Sequence, residues 1–149
     1  MKNTKITLAH GSGGKLTHEL VQRLFLPNFN NDVLSLLGDS ALLNINGTKL
    51  AFTTDSYVVK PVFFPGGDIG RLAVSGTIND LAVVGAEPMF LSAGFIIEEG
   101  FEMALLEKIV SSMRETTALM GVEIVTGDTK VVESGSADGL YINTCGIGI

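Results

Sequence analysis

Four carboxylates stand in settings where a protein core would favour Val or Leu. Asp55 lies in FTTDSYVV (Phe52 to Val59), Asp80 in GTINDLAVVGAEP (Gly76 to Pro88) and Asp128 in VTGDTKVV (Val125 to Val132). Asp39 is set the same way in LLGDSALL. An ionised carboxylate withdrawn from water without a partner is costly, so several such placements suggest a shared ligand carrying positive charge. Hard divalent cations take oxygen ligands, and magnesium with a nucleotide phosphate is the simplest candidate.

Each patch also has a plainer reading. Asp55, in Thr53-Thr54-Asp55, closes a strand and could cap a turn, and Asp39 could be a turn residue. Asp80 follows Asn79 in a segment with helical character. On a helix it shares a face with Gly76, Thr77 and Val84, and no Lys or Arg lies three or four residues away to pair with it. Gly127-Asp128-Thr129-Lys130 lies between two strand-like runs. Gly127 would let the backbone approach a ligand and Lys130 would neutralise phosphate charge, but a bulge carrying a surface Asp and Lys also fits.

The loop HGSGGKLT (His10 to Thr17) is not a P-loop. The pattern needs Gly at position 9 and Ser or Thr after Lys15, where the chain has Ala9 and Leu16. What remains is a run of backbone N–H donors able to close over phosphates, or an ordinary turn. His10 and His18 are too few and too badly spaced for a metal site.

The elements that must carry these residues can be read from pattern. Leu16, Leu20, Val21 and Leu24 share one face of a helix over Thr17 to Phe25, which Pro27 and NFNND should end. Asn46-Gly47 should turn a hairpin between strands at Ala41–Ile45 and Leu50–Thr54. Asp68, after the PVFFPGGD loop, should cap a helix from Ile69 to about Val84, rich in small residues and suited to close packing. A strand is expected at Phe90–Ile97 and a helix at Glu102–Met120, stopped by Gly121. Two further strands are expected at Glu123–Val132 and Leu140–Ile149. Strict βαβ alternation is missing, so the class is α+β.

Composition narrows the function classes. The 149 residues suit one domain, and the chain ends inside a strand, as the domain of a longer protein would. Net charge is −6 and no basic run occurs, which argues against nucleic acid and against anionic membrane surfaces. No apolar stretch approaches the roughly 20 residues of a membrane span, and the N-terminus has no signal-type core. A single cysteine, Cys145, excludes a disulfide framework, and it reads as a structural thiol. A cytoplasmic location is expected. Mean hydropathy is +0.39, high for a soluble monomer, so part of the apolar surface is expected to be buried in a homodimer.

The strings HGSGG, FTTDSYVV, FFPGGDIG, GTINDLAVVGAEP, FIIEEGF, IVTGDTKVV and INTCGIG resemble the N-terminal domain of the HypE family of hydrogenase maturation proteins, carbamoyl dehydratases. The resemblance runs from His10 to the end of the chain. The wider superfamily includes aminoimidazole ribonucleotide synthetase, selenophosphate synthetase and thiamine monophosphate kinase. The resemblance implies a mixed, mostly antiparallel sheet covered by helices and dimerising through the sheet. It also implies ATP with Mg2+, used to dehydrate a C-terminal cysteine S-carboxamide to S-cyanide for the [NiFe] hydrogenase iron.

By the same resemblance, Asp80 and Lys130 carry the ATP-dependent activity, and Asp39, Asp55, Asp80 and Asp128 are metal or phosphate residues. Gly11, Ser12, Gly13, Gly14, Thr54, Asn79, Gly127 and Thr129 would contact the nucleotide. The implied partners are a second copy, the carbamoyltransferase HypF and the HypC–HypD complex. The family's second domain and terminal cysteine are not in this sequence, so the chain alone is expected to be incomplete as an enzyme. The alternatives are a dimerisation and docking module without catalysis, or a small-metabolite kinase or synthetase of the same superfamily.

Overall fold

The computed structural model describes residues 5–149, which fall into two compact units, residues 5–38 and Asp39–Ile149. In the first unit, α1 (Lys15–Leu20) runs through a π-helical turn (Val21–Phe25) into α2 (Leu26–Phe29). The helix was expected to stop before Pro27, and it does not. The wide turn, in which the Leu26 N–H reaches back to the Val21 carbonyl, lets Pro27 stand in the first turn of α2. A missing N–H costs little there.

The second unit is a five-stranded mixed sheet with two helices on one face. Its strands are β1 (Ala41–Ile45), β2 (Thr48–Tyr57), β5 (Pro88–Glu98), β6 (Glu123–Val132) and β7 (Leu140–Gly148), in the order β1-β2-β7-β5-β6. All neighbours are antiparallel except β5 and β6, which are joined through α4 (Met103–Met120) and run parallel. The fold is therefore α+β. A small hairpin, β3 (Phe63–Phe64) with β4 (Gly67–Asp68), leads into α3 (Ile69–Val83).

Local chemistry accounts for these boundaries. Asn46 and Gly47 both have positive φ (53° and 88°), as a two-residue hairpin turn requires. Asp68 Oδ1 accepts from the N–H groups of Gly70 (2.7 Å) and Arg71 (3.1 Å), relieving two orphan donors of α3. Gly121, at φ 69°, ends α4 in the left-handed conformation.

The small residues of α3 set how close it comes to its neighbours. A Cβ at Gly70 would stand 2.6 Å from the Ile109 carbonyl oxygen, so α3 and α4 touch at backbone distance. A Cβ at Gly146 would meet Thr77 Cγ2 and Leu81 Cδ1, each at 2.9 Å, so α3 lies directly on β7. Ile69, Ala73, Val74 and Ile78 pack there against Leu91, Ala93, Leu140 and Ile142.

Side chains alternate across the strands, so the register assigns every residue to a face. Ala51, Thr53, Asp55 and Tyr57 of β2 share the helix-covered face with Ile142, Thr144 and Gly146 of β7. The opposite face carries Phe52, Phe90, Ile96, Tyr141 and Ile147, and no element of this unit covers it. Among the described residues no helix is long and apolar enough to cross a membrane.

Candidate functional site

The site forms where β2 outruns β1. Pairing between the two strands stops at Ala41 opposite Phe52, so Thr53–Tyr57 continue with one edge free. The residues entering β1, Asp39 and Ser40, lie against that edge, and the C-terminal half of α3 brings Asp80 to the same place.

Hydroxyls join the three segments. Thr53 Oγ1, buried, stands 2.9 Å from the Asp39 carbonyl oxygen and 3.2 Å from Asp80 Oδ2, sharing one proton between them. Ser40 Oγ donates to the Asp80 carbonyl oxygen at 2.7 Å. Asp55 Oδ1 accepts from the Ser56 N–H at 2.8 Å. This is why Thr53, rather than Val, stands at a buried strand position: its hydroxyl serves both the entering chain and the helix.

Electrostatics single out Asp80. Burial pushes its carboxyl above the ordinary value, the Thr53 hydrogen bond opposes that, and the charges of Asp55 and Asp39 push it up further. The charges of Asp39 and Asp55 thus both act on Asp80. The ion pairs among the described residues, Lys60–Asp138 and Lys130–Asp128, lie elsewhere. Nor do any three acidic, His or Cys side chains among these residues close into a preformed cage. Oxygen donors with unrelieved negative charge, spread too widely to enclose an ion, suit Mg2+, which is bound through a few carboxylates together with substrate phosphates.

The remaining sequence candidates are distributed differently. Asp128 and Lys130 lie on β6, opposite Gly94 and Ile96 of β5, and so face away from the helices. They pair with each other, Lys130 Nζ standing 3.1 Å from Asp128 Oδ2, and both are about 70% exposed. Within one chain the fold places them on the sheet face opposite to Asp55 and Asp80.

Gly127 is explained by packing rather than by a ligand. A Cβ there would stand 2.3 Å from the Ala93 carbonyl oxygen of β5. Thr129 is exposed on the helix side of the edge strand. Thr54 belongs to the open face, where its Oγ1 meets Asn143 Nδ2 and Cys145 Sγ, each at 3.2 Å. Asn79 is exposed on α3.

In the first unit, Gly11 closes a short 3-10 turn and Ser12 Oγ donates to the Ala9 carbonyl at 3.1 Å. The Gly13 N–H donates to Thr17 Oγ1 at 3.0 Å, and Gly14 caps α1. One of the expected phosphate-facing donors is therefore already engaged within the loop.

Sequence reasoning missed a buried polar chain beside the site. Tyr57 Oη is 3.2 Å from Thr77 Oγ1, which is 2.5 Å from Thr144 Oγ1, which donates to the Ala73 carbonyl at 3.1 Å. Burial first, and then Asp55 and Asp80, push the Tyr57 phenol up to about 12, with the Thr77 bond opposing. The phenol is therefore protonated across the physiological range. The signal was Gly76, one residue from Thr77: a Cβ there would stand 2.3 Å from Tyr57 Oη.

An AIRS-type fold with clustered carboxylates defines the class, and comparison with known proteins agrees. Residues 37–149 match the family described as AIR synthase related protein, N-terminal domain, and the chain belongs to that family. Within it, the chain is similar to the carbamoyl dehydratase HypE of Rhizobium leguminosarum bv. viciae, 52% identical over 147 residues. That match covers 99% of this chain and 42% of the relative, so the chain spans less than half the length of the curated proteins it resembles.

Solved structures agree. A crystal structure of a HypE–HypF complex superposes with a TM-score of 0.81 at 55% identity, over 87% of this chain and 41% of the other. A structure of the hydrogenase maturation protein HypE in complex with ATP gives 0.67 at 53%, over 97% and 43%.

Proposed function

We propose that this chain is the N-terminal, nucleotide-contacting part of a cytoplasmic ATP-dependent carbamoyl dehydratase of hydrogenase maturation. The observation that carries the reading is the convergence of Asp39, Asp55 and Asp80, which have no cationic partner among the described residues. Similarity to a HypE that binds ATP supports it.

In this reading Mg2+ bound with ATP supplies charge neutralisation on the phosphates, and Asp39, Asp55 and Asp80 hold it. Thr53 fixes the Asp80 carboxylate through its hydroxyl. Asn79, next to Asp80 on α3, contacts the nucleotide. The γ-phosphoryl group passes to the carboxamide oxygen of a cysteine thiocarboxamide. ADP leaves as the nitrogen gives up one proton, and loss of phosphate with the second nitrogen proton then leaves the S-cyanide. That cysteine belongs to the family's C-terminal end; Cys145, half-buried in β7 and bonded to Thr54, is not it.

Asp128 and Lys130 serve the same chemistry through a second copy. Their position on the open face, beside exposed Phe52, Phe90, Ile96 and Ile147, supports a homodimer closed through that face. Lys130 of one copy then neutralises phosphate charge in the site of the other. HypF is the proposed partner from similarity to a HypE found in complex with it, and HypC–HypD would accept the product.

The test is ATP hydrolysis coupled to thiocarboxamide dehydration in the full-length protein. It should require Mg2+, proceed in wild type and fail in Asp80→Asn. Turnover within about tenfold of wild type, some 1.4 kcal/mol of barrier, would remove Asp80 from the site.

A further inference from the structure

We infer that Ser40 is a positioning residue of the cation site, its hydroxyl tying the segment that carries Asp39 to the helix end that carries Asp80. The inference rests on the proposed reading of Asp39, Asp55 and Asp80 as holding Mg2+. It adds to that reading a residue that acts through its neighbours rather than on the ion.

Asp39 and Ser40 lie ahead of the sheet ladder, since pairing of β1 with β2 begins at Ala41 opposite Phe52. Hydroxyls fix this segment instead. Ser40 Oγ donates to the Asp80 carbonyl oxygen at 2.7 Å, and Thr53 Oγ1 stands 2.9 Å from the Asp39 carbonyl oxygen. A carbonyl oxygen can only accept, so the direction of the Ser40 bond is fixed. With the 3.2 Å contact from Thr53 Oγ1 to Asp80 Oδ2, the entering segment, β2 and α3 are joined pairwise in a closed triangle. Thr53 has one proton for its two acceptors. Ser40 is the side of the triangle that joins the Asp39 and Asp80 segments directly.

Helix closure does not account for this bond. Gly85, at φ 81°, turns the chain after α3; its N–H donates to the Ala82 carbonyl at 2.9 Å, and the Ala86 N–H to the Leu81 carbonyl at 3.1 Å. That is a complete glycine C-cap. Ser40 reaches the carbonyl one residue further back, from 40 positions away in the chain and with only 8% of its surface exposed. Like charges on Asp39 and Asp80 favour separation of the two segments, and the buried hydroxyl holds them together.

Mg2+ demands near-octahedral oxygen geometry, whereas Ca2+ accepts varied coordination, so loosening the tie should affect the two ions unequally. Ser40→Ala should weaken Mg·ATP binding about tenfold, the effect of losing an outer-shell partner of a metal ligand, and Ca·ATP binding less than about threefold. Asp80→Asn removes a ligand rather than misplacing it and should weaken both about equally. Ser40→Cys, a weaker donor of similar size, should fall between wild type and Ser40→Ala, with the same preference between ions, and takes the place of the alanine variant if that one does not fold.

Calorimetric titration of Mg·ATP and Ca·ATP into the protein and each variant decides it, with thermal unfolding to verify the fold. A Mg2+-selective loss in the Ser40 variant is the expected result. A folded Ser40 variant that binds both complexes as wild type does, or loses both to the same extent, confines Ser40 to structural support and overturns the inference. Wild type that binds ATP no better with Mg2+ than with EDTA overturns the cation reading itself, an outcome read before any variant is compared.

Discussion

Replacing Gly76 by Ala should destabilise the protein, although helix propensity alone favours the change. Ala in a helix interior is better than Gly by about 1 kcal/mol. The added Cβ, however, would stand 2.3 Å from Tyr57 Oη and 3.0 Å from Cε1 and Cζ, against a ring that is buried and cannot swing aside. Overpacking of this kind costs about 1–3 kcal/mol. Displacing the phenol also breaks its hydrogen bond with Thr77, adding about 1 kcal/mol. The net loss is about 1–3 kcal/mol, which in a chain this size lowers Tm by roughly 2–12 °C. Scanning calorimetry on the wild type, Gly76→Ala, Tyr57→Phe and the double variant measures it. In the Tyr57→Phe background the shortest contact disappears, and Gly76→Ala should cost less than about 1 kcal/mol. A Gly76→Ala protein as stable as wild type, or more so, would refute the close packing of α3 on Tyr57.

Asp80→Asn should stabilise the ligand-free protein at neutral pH, because it removes a carboxylate that burial and the charges of Asp55 and Asp39 disfavour. Its folded-state value is raised, so wild-type stability should rise as pH falls through the Asp80 titration, and the Asn variant should lose that rise; urea unfolding against pH reads both. In the full-length protein Lys130→Ala should lower kcat more than it raises KM for ATP, since a fixed ammonium stabilises the transferring phosphoryl group more than the ground state. A raised KM with unchanged kcat would confine Lys130 to binding. Sedimentation at micromolar concentration should show a dimer insensitive to salt, as an apolar sheet contact is not screened, and a clean monomer would refute the open-face pairing.

Much of the fold was legible because single residues dictate it. Asn46-Gly47 could only be a tight hairpin, Asp68 could only cap the helix that begins at Ile69, and Gly121 ends α4 because its φ of 69° is closed to most residues. The extension of β2 to Tyr57 was harder to read: Thr54, Asp55 and Ser56 interrupt the apolar alternation on which a strand is recognised. Pro27 misled for a similar reason, because the π turn that accommodates it depends on backbone geometry rather than on residue type. Asp39, Asp55 and Asp80 could be singled out as carboxylates in apolar or small-residue sequence, and Thr53 and Ser40 join their segments in the fold. That Asp128 and Lys130 face the other side of the sheet could not be read, because a face is fixed only by register with β5 and β7. Tyr57, Thr77 and Thr144 went unnoticed because they meet only in space.

The most direct measurement of the central claim is anomalous diffraction from crystals of the protein grown with Mn2+ and a non-hydrolysable ATP analogue. The account predicts a manganese peak within about 2.2 Å of carboxylate oxygens from the Asp39, Asp55 and Asp80 cluster, bridged to phosphate oxygens. A manganese peak away from this cluster, or nucleotide bound with the three carboxylates making no contact to metal, would contradict it.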